Sequence, residues 1–209
     1  MSPLPELGFE HRYIPGKEGA PLVLALHGTG GTEDDWVPLA QELVPQAHVL
    51  APRGRVLEQG MARYFRRLAI GVFDEADVKL RSAELAAFLR EAATRYGFRA
   101  DSVFALGYSN GANMAAALLL LHAEALAGAA LLRPVLPLTP EREPDLAGRP
   151  VLIAAGEADP YSPAPRVEAL AVTLRRAGAE VDLRWQPAGH ELTPADISGV
   201  REWFAAHVH

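Results

Sequence analysis

An α/β fold with a mostly parallel central sheet and helices on both faces is predicted by three features of this 209-residue chain. Short apolar runs recur along it with longer segments between them. The runs are continuous rather than alternating, as strands buried on both faces require. One intervening segment, residues 75–96, carries a clear helical stripe.

Taken in order, residues 10–14 predict an antiparallel edge strand, and the first buried strand falls at residues 22–26. Further strands are expected at residues 49–51, 103–106, 129–132, 151–155 and 181–185, each bounded by Gly, Pro or charge. The helix at residues 75–96 places Val78, Leu85, Phe88, Leu89 and Ala92 on one face. Asp74 is suited to cap its first turn, Asp77 to favour its dipole, and Gly97 to stop it. A second helix is expected at residues 165–177, ended by Gly178. A third starts with Thr193 as N-cap and Pro194 at the first helical position, turning Ile197, Val200, Trp203 and Phe204 inward.

Composition narrows the class. With 49% hydrophobic residues the chain can bury one core but is short for two, so residues 1–209 read as a single domain. A formal charge of −6 disfavours a polyanionic partner, and nucleic acid is excluded on that ground. The apolar runs fall short of the roughly 20 residues that cross a bilayer, and the N-terminus is acidic and proline-rich. Neither membrane insertion nor a signal peptide is expected, and a cytoplasmic location is the default. The absence of cysteine removes disulfides, thiolate catalysis and Cys-ligated zinc.

Residues 53–74 have a different texture, with Arg63, Arg66 and Arg67 among Tyr64, Phe65 and Phe73 and no clean period. The segment reads as a long surface connection covering the core, or as a lid or pocket wall. Met61, Tyr64, Phe65 and Phe73 are its candidate acyl-pocket residues. The three arginines read as a solvated face, with contact to an anionic substrate as the alternative.

The chemistry is concentrated where the strand ending at Leu106 meets an alanine-rich helix through Gly107-Tyr108-Ser109-Asn110-Gly111. Chance places Gly-x-Ser-x-Gly in about one shuffled sequence of this composition in twenty. The strand before and helix after therefore carry the inference of a nucleophile elbow, which makes Ser109 the candidate nucleophile on an α/β-hydrolase fold. A serine hydroxyl needs a base, and the base needs an acid to fix its tautomer. In this fold both follow the serine on loops after later strands, acid first. His122 lies at the far end of the elbow helix, and His207 and His209 sit in the terminal tail. His190, between the last strand and the last helix, is the candidate base.

For the acid, Gly156-Glu157-Ala158-Asp159-Pro160 presents two carboxylates. Asp159 is favoured because Pro160 restrains it toward extended geometry, with Glu157 in reserve. Two backbone N–H groups complete the set as an oxyanion hole, those of Asn110 and Thr29. His27, beside Thr29, reads as a structural brace. No His-Glu-x-x-His or clustered ligand pattern supports a metal.

The stretches Leu26-His27-Gly28-Thr29-Gly30-Gly31, Ala51-Pro52-Arg53-Gly54, Gly107-Tyr108-Ser109-Asn110-Gly111-Ala112-Asn113 and Gly189-His190-Glu191-Leu192 together resemble the phospholipase/carboxylesterase family, which includes acyl-protein thioesterases. Residues 64–77 resemble its bacterial branch of hydroquinone-responsive carboxylesterase-like hydrolases. The resemblance implies the roles assigned above, a small-molecule ester substrate, no cofactor, and commonly a homodimer. Asn110 stands where the thioesterase branch usually has glutamine, which favours a general carboxylesterase acting on small or medium esters. An acyl thioesterase or lysophospholipase, and a non-catalytic sensor on the same fold, are the alternatives.

Overall fold

The computed structural model describes residues 8–208. In chain order, β1 (His11–Ile14), β2 (Leu22–Leu26), α1 (Val37–Leu43) and β3 (His48–Pro52) come first. Two hairpins follow, β4 (Val56–Glu58) with β5 (Met61–Arg63) and β6 (Arg67–Ala69) with β7 (Val72–Phe73). Then come α2 (Glu75–Tyr96), β8 (Val103–Tyr108), α3 (Asn110–Leu121) and β9 (Gly128–Leu132). The chain continues through β10 (Pro150–Gly156), α4 (Ala164–Arg176), β11 (Glu180–Gln186) and α5 (Pro194–His207).

Seven strands form one sheet in the order β1-β3-β2-β8-β9-β10-β11. All neighbours run parallel except β1, which pairs antiparallel with β3 at the edge. The period of two along a strand divides the apolar runs between two layers. Leu22, Leu24 and Leu26 of β2 join Leu85, Phe88 and Leu118 of α2 and α3 on one side. Val23 and Ala25 meet Ala40, Val200, Trp203 and Phe204 of α1 and α5 on the other. Covering both faces is what makes a fully apolar β2 stable as a strand.

The helix ends follow the chemistry of their sequences. Asp74 Oδ1 accepts from Asp77 N–H at 3.2 Å at the start of α2. At the start of α5, Thr193 Oγ1 accepts from Asp196 N–H at 3.2 Å while Asp196 Oδ2 accepts from Thr193 N–H at 2.7 Å, a reciprocal capping box. Every expected strand forms, and all but β1 and β2 run a residue or two longer than anticipated. Three findings differ from expectation. α1 carried no clear signal, being only seven residues long with Pro38 in its first turn. Residues 53–74, expected as a long surface connection or pocket wall without regular structure of its own, contain two hairpins outside the main sheet. His207 ends α5, its Nδ1 bonded to Trp203 O at 2.8 Å, instead of lying in a tail; His209 lies outside the described residues.

Candidate active site

Ser109 joins β8 to α3 with φ 52° and ψ −113°, a conformation that costs a non-glycine residue on the order of 1–3 kcal/mol. The surroundings hold it there. Ser109 N–H donates to Leu132 O at 2.8 Å, and Ser109 O accepts from Asn113 N–H at 2.9 Å. The flanking glycines leave room for the turn: a Cβ on Gly107 would stand 2.8 Å from Ala112 N, and one on Gly111 would collide with Leu26 O.

The loops after β10 and β11 bring the two expected partners to this serine. His190 Nε2 lies 2.9 Å from Ser109 Oγ, and His190 Nδ1 lies 2.7 Å from Asp159 Oδ2. The other carboxylate oxygen of Asp159 accepts from the N–H groups of Tyr161 (2.8 Å) and Ser162 (3.1 Å), which leaves Oδ2 for the imidazole. The Asp159 side chain is fully buried, whereas that of His190 keeps 22% exposure and so can reach a substrate. Tyr108 and Tyr161 pack against the ring with centroids 5.3 and 5.1 Å away, and Tyr108 Oη donates to His190 O. Glu157, the reserve acid, is exposed on the same loop and does not line the cavity.

Thr29 and Asn110 line the same cavity as Ser109 and His190. Gly30 and Gly31 N–H are occupied by Ala62 O and Gly28 O, but among the described residues the N–H groups of Thr29 and Asn110 have no partner. As the first residue of α3, Asn110 offers one of the free donors every helix N-terminus carries. Its side-chain Oδ1 accepts from Tyr64 N–H at 2.7 Å and so ties the elbow to the hairpin segment.

His27 is buried and braces the Thr29 loop: Gly54 N–H donates to its Nε2 at 2.9 Å, and its Nδ1–H donates to Gly28 O at 2.6 Å. Burial pushes its pKa below the ordinary histidine value. Arg53 grips Glu33 of this loop bidentately, at 2.5 and 2.9 Å.

The cavity measures about 350 Å³. Of the expected pocket residues, only Phe73 lines it. Tyr64 is buried, its hydroxyl donating to Pro52 O at 2.7 Å, and Phe65 lies wholly in the core, edge-on to Phe73. Met61 is exposed and faces Gly30. The solvated-face reading of the arginines holds for Arg66, which pairs with Asp74 at the surface, but not for Arg63. Arg63 is buried in the cavity wall, where its Nη1 donates to Thr29 Oγ1 at 2.5 Å and its Nε to Phe65 O at 3.2 Å. Burial lowers its pKa, Arg67 adds to that, and Glu58 opposes it; a guanidinium stays charged through such a shift. Arg67 also lines the cavity, only partly exposed and paired with Glu58; Ile70 and Tyr161 are lining residues that the sequence did not single out.

The sequence model of the dienelactone hydrolase family matches residues 15–199. The chain belongs to that family. The chain is 45% identical over 195 residues to the putative hydrolase MhqD of Bacillus subtilis (strain 168), covering 93% of this chain and 97% of that protein. It is similar in structure to the Bacillus cereus carboxylesterase, with a TM-score of 0.93, 45% identity, and coverage of 96% of this chain and 95% of the other. The carboxylesterase from Mesorhizobium loti matches with a TM-score of 0.89, 42% identity, and coverage of 97% and 98%. Membership makes this protein a hydrolase on the α/β-hydrolase fold, in keeping with the esterase resemblance carried by its motifs. No described helix is long and apolar enough to cross a membrane.

Proposed function

We propose that this protein is a serine carboxylesterase that hydrolyses small or medium carboxylic esters through an acyl-enzyme. The observation that carries the reading is the relay from Ser109 Oγ through His190 to the buried Asp159 carboxylate, at 2.9 and 2.7 Å, on a strained elbow.

In the reaction Ser109 Oγ attacks the ester carbonyl carbon as its proton passes to His190 Nε2. The negative oxygen that forms accepts hydrogen bonds from the N–H groups of Thr29 and Asn110, each lowering the barrier by on the order of 3 kcal/mol. Collapse breaks the C–O bond of the ester, and the leaving alkoxide takes the proton from His190. Water then gives a proton to His190 and attacks the acyl-enzyme, releasing the carboxylic acid and returning the proton to Ser109. Asp159 holds the imidazole in the required tautomer and stabilises its charged form.

A cavity of about 350 Å³, with Phe73 and Ile70 beside the charged Arg63, favours a compact ester over a long lipid chain. The continuous sheet supports one domain; the cytoplasmic location rests on sequence features and the homodimer on the family resemblance, and light scattering tests the second. The decisive experiment measures p-nitrophenyl ester hydrolysis across acyl lengths and fluorophosphonate labelling, for wild type and Ser109→Ala. Turnover and labelling that both vanish in the variant are expected. A wild type that neither turns over nor labels removes the catalytic reading.

A further inference from the structure

We propose that Arg133 is a positioning residue that locks the His190 and Asp159 loops in register with Ser109, an inference that rests on the serine-esterase reading above. Arg133 follows β9, the strand between the one that carries the nucleophile elbow and the one that carries the acid loop. It is a fully buried arginine with φ 56°, a backbone conformation uncommon for a bulky residue.

Its main chain joins the serine and acid sides. The preceding carbonyl, Leu132 O, accepts from Ser109 N–H, and Arg133 N–H donates to Ala154 O of β10, both at 2.8 Å. Arg133 O accepts from Ser162 Oγ at 2.9 Å, and Ser162 N–H is one of the two groups that orient the Asp159 carboxylate.

Its side chain holds the histidine side. Nε donates to Gly189 O at 3.0 Å and Nη2 to Glu191 O at 2.7 Å, the carbonyls of the two residues flanking His190. Nη1 donates to Ala154 O at 3.1 Å, and the fork closes bidentately on Asp196 at 3.0 and 2.7 Å. All five guanidinium N–H donors are therefore engaged. Asp196 is in turn the capping-box residue of α5, so the loop is fixed at its histidine and at the helix it enters. Burial penalises the Asp196 carboxylate, yet Arg133 and Thr193 more than compensate and hold its pKa below the usual carboxylate range.

A buried ion pair adds little net stability over an apolar pair of similar volume. Stability alone thus gives weak reason for a fork whose remaining bonds reach both sides of the general base. Orientation gives a direct one, since a 1 Å misplacement of a catalytic group costs about 100-fold in rate.

The test compares wild type, Arg133→Lys and the double variant Arg133→Met/Asp196→Asn, which removes both charges and keeps an acceptor for the α5 cap. Melting temperature, kcat and KM for p-nitrophenyl acetate, and the downfield NMR proton of the His190–Asp159 hydrogen bond are measured well below each melting point. The expected result is a kcat lower by about 100-fold, a KM within about twofold, and loss of that proton signal while the fold persists. A double variant that melts like wild type and keeps kcat within about threefold overturns the proposal. Should the Arg133 variants not fold, Ser162→Ala decides: a kcat fall of about tenfold at constant KM supports it, and unchanged kcat overturns it. Wild-type turnover, abolished in Ser109→Ala, is the separate control. Its failure would point to the esterase reading, and the proton signal would still report whether Arg133 orients the histidine.

Discussion

The wall of the cavity formed by the loops after β10 and β11 is held by buried charge: both side chains of the Arg133–Asp196 pair are wholly inaccessible. The facing wall, formed by the hairpins, has the buried Arg63 at its base but is otherwise held by pairs that solvent can reach. Arg67 and Glu58, which meet at 2.6 Å, keep 25% and 24% exposure, while Leu68, Ile70 and Val72 are largely exposed. Surface pairs of this sort contribute about 0–1 kcal/mol, so the hairpin wall is the more readily deformed. The difference separates two tasks. On the esterase reading proposed above, the loop wall holds reacting groups whose positions tolerate little error, and the hairpin wall meets the variable part of the substrate.

The largest effect should therefore come from the loop wall. Asp159→Asn leaves the size of the site unchanged but presents the wrong group to His190 Nδ1–H, and kcat should fall by about 10³–10⁴-fold. Steady-state kinetics on p-nitrophenyl acetate check this; a fall below about tenfold would mean that another group orients the imidazole. On the hairpin wall, Arg63→Gln removes a charge beside Thr29 without touching the relay. We expect kcat/KM to fall about tenfold, less than for direct loss of an oxyanion donor. Equal losses in the two variants would erase the distinction between the walls. Phe73→Ala should act more mildly, shifting the preferred p-nitrophenyl ester toward longer acyl groups with acetate turnover changed less than about threefold. An unaltered chain-length profile would place the acyl group elsewhere in the cavity.

The two walls also differed in how far the sequence disclosed them. The nucleophile and the loop wall were legible because the elements that position them have local signatures: Leu22–Leu26 is wholly apolar, Ser109 sits between glycines, and Thr193-Pro194 opens a helix. Asp159 and His190 then follow from position after a strand. Arg133 gave no such sign, because what distinguishes it from any arginine after a strand is contact with Gly189, Glu191 and Asp196, all more than fifty residues away. The hairpins were hidden for a different reason. Gln59 and Gly60 turn the first with φ 52° and 81°, which fits a tight hairpin turn, but Gln-Gly is a weaker signal than Asn-Gly. Exposed Leu57, Leu68 and Ile70 further blur any alternation. With the register concealed, pattern alone could not show that Arg63 turns into the cavity wall while Tyr64 and Phe65 turn to the core.

The smallest expected effect lies in the response of the hairpin side to acid. His27 is neutral as bonded, since its Nε2 accepts from Gly54 N–H, and protonation would turn that acceptor into a second donor facing the same hydrogen. Burial is the largest influence on it, the bond to Gly28 O and the carboxylates of Asp35 and Glu33 work in the opposite direction, and Arg53 adds to the burial effect. Because the folded pKa lies below the unfolded value of about 6.5, the unfolded chain takes up the proton first as pH falls. The stability from neutral His27 is thus complete above that value and declines as pH drops from there toward the folded pKa. Melting curves at pH 7.5 and 5.5 should show wild type losing about 2 °C more than His27→Gln, in which no proton is gained. The remaining histidines are common to both proteins and cancel in the difference. Parallel losses would mean that the Thr29 loop opens far enough to hydrate His27 before it titrates, making the hairpin wall softer than its hydrogen bonds imply.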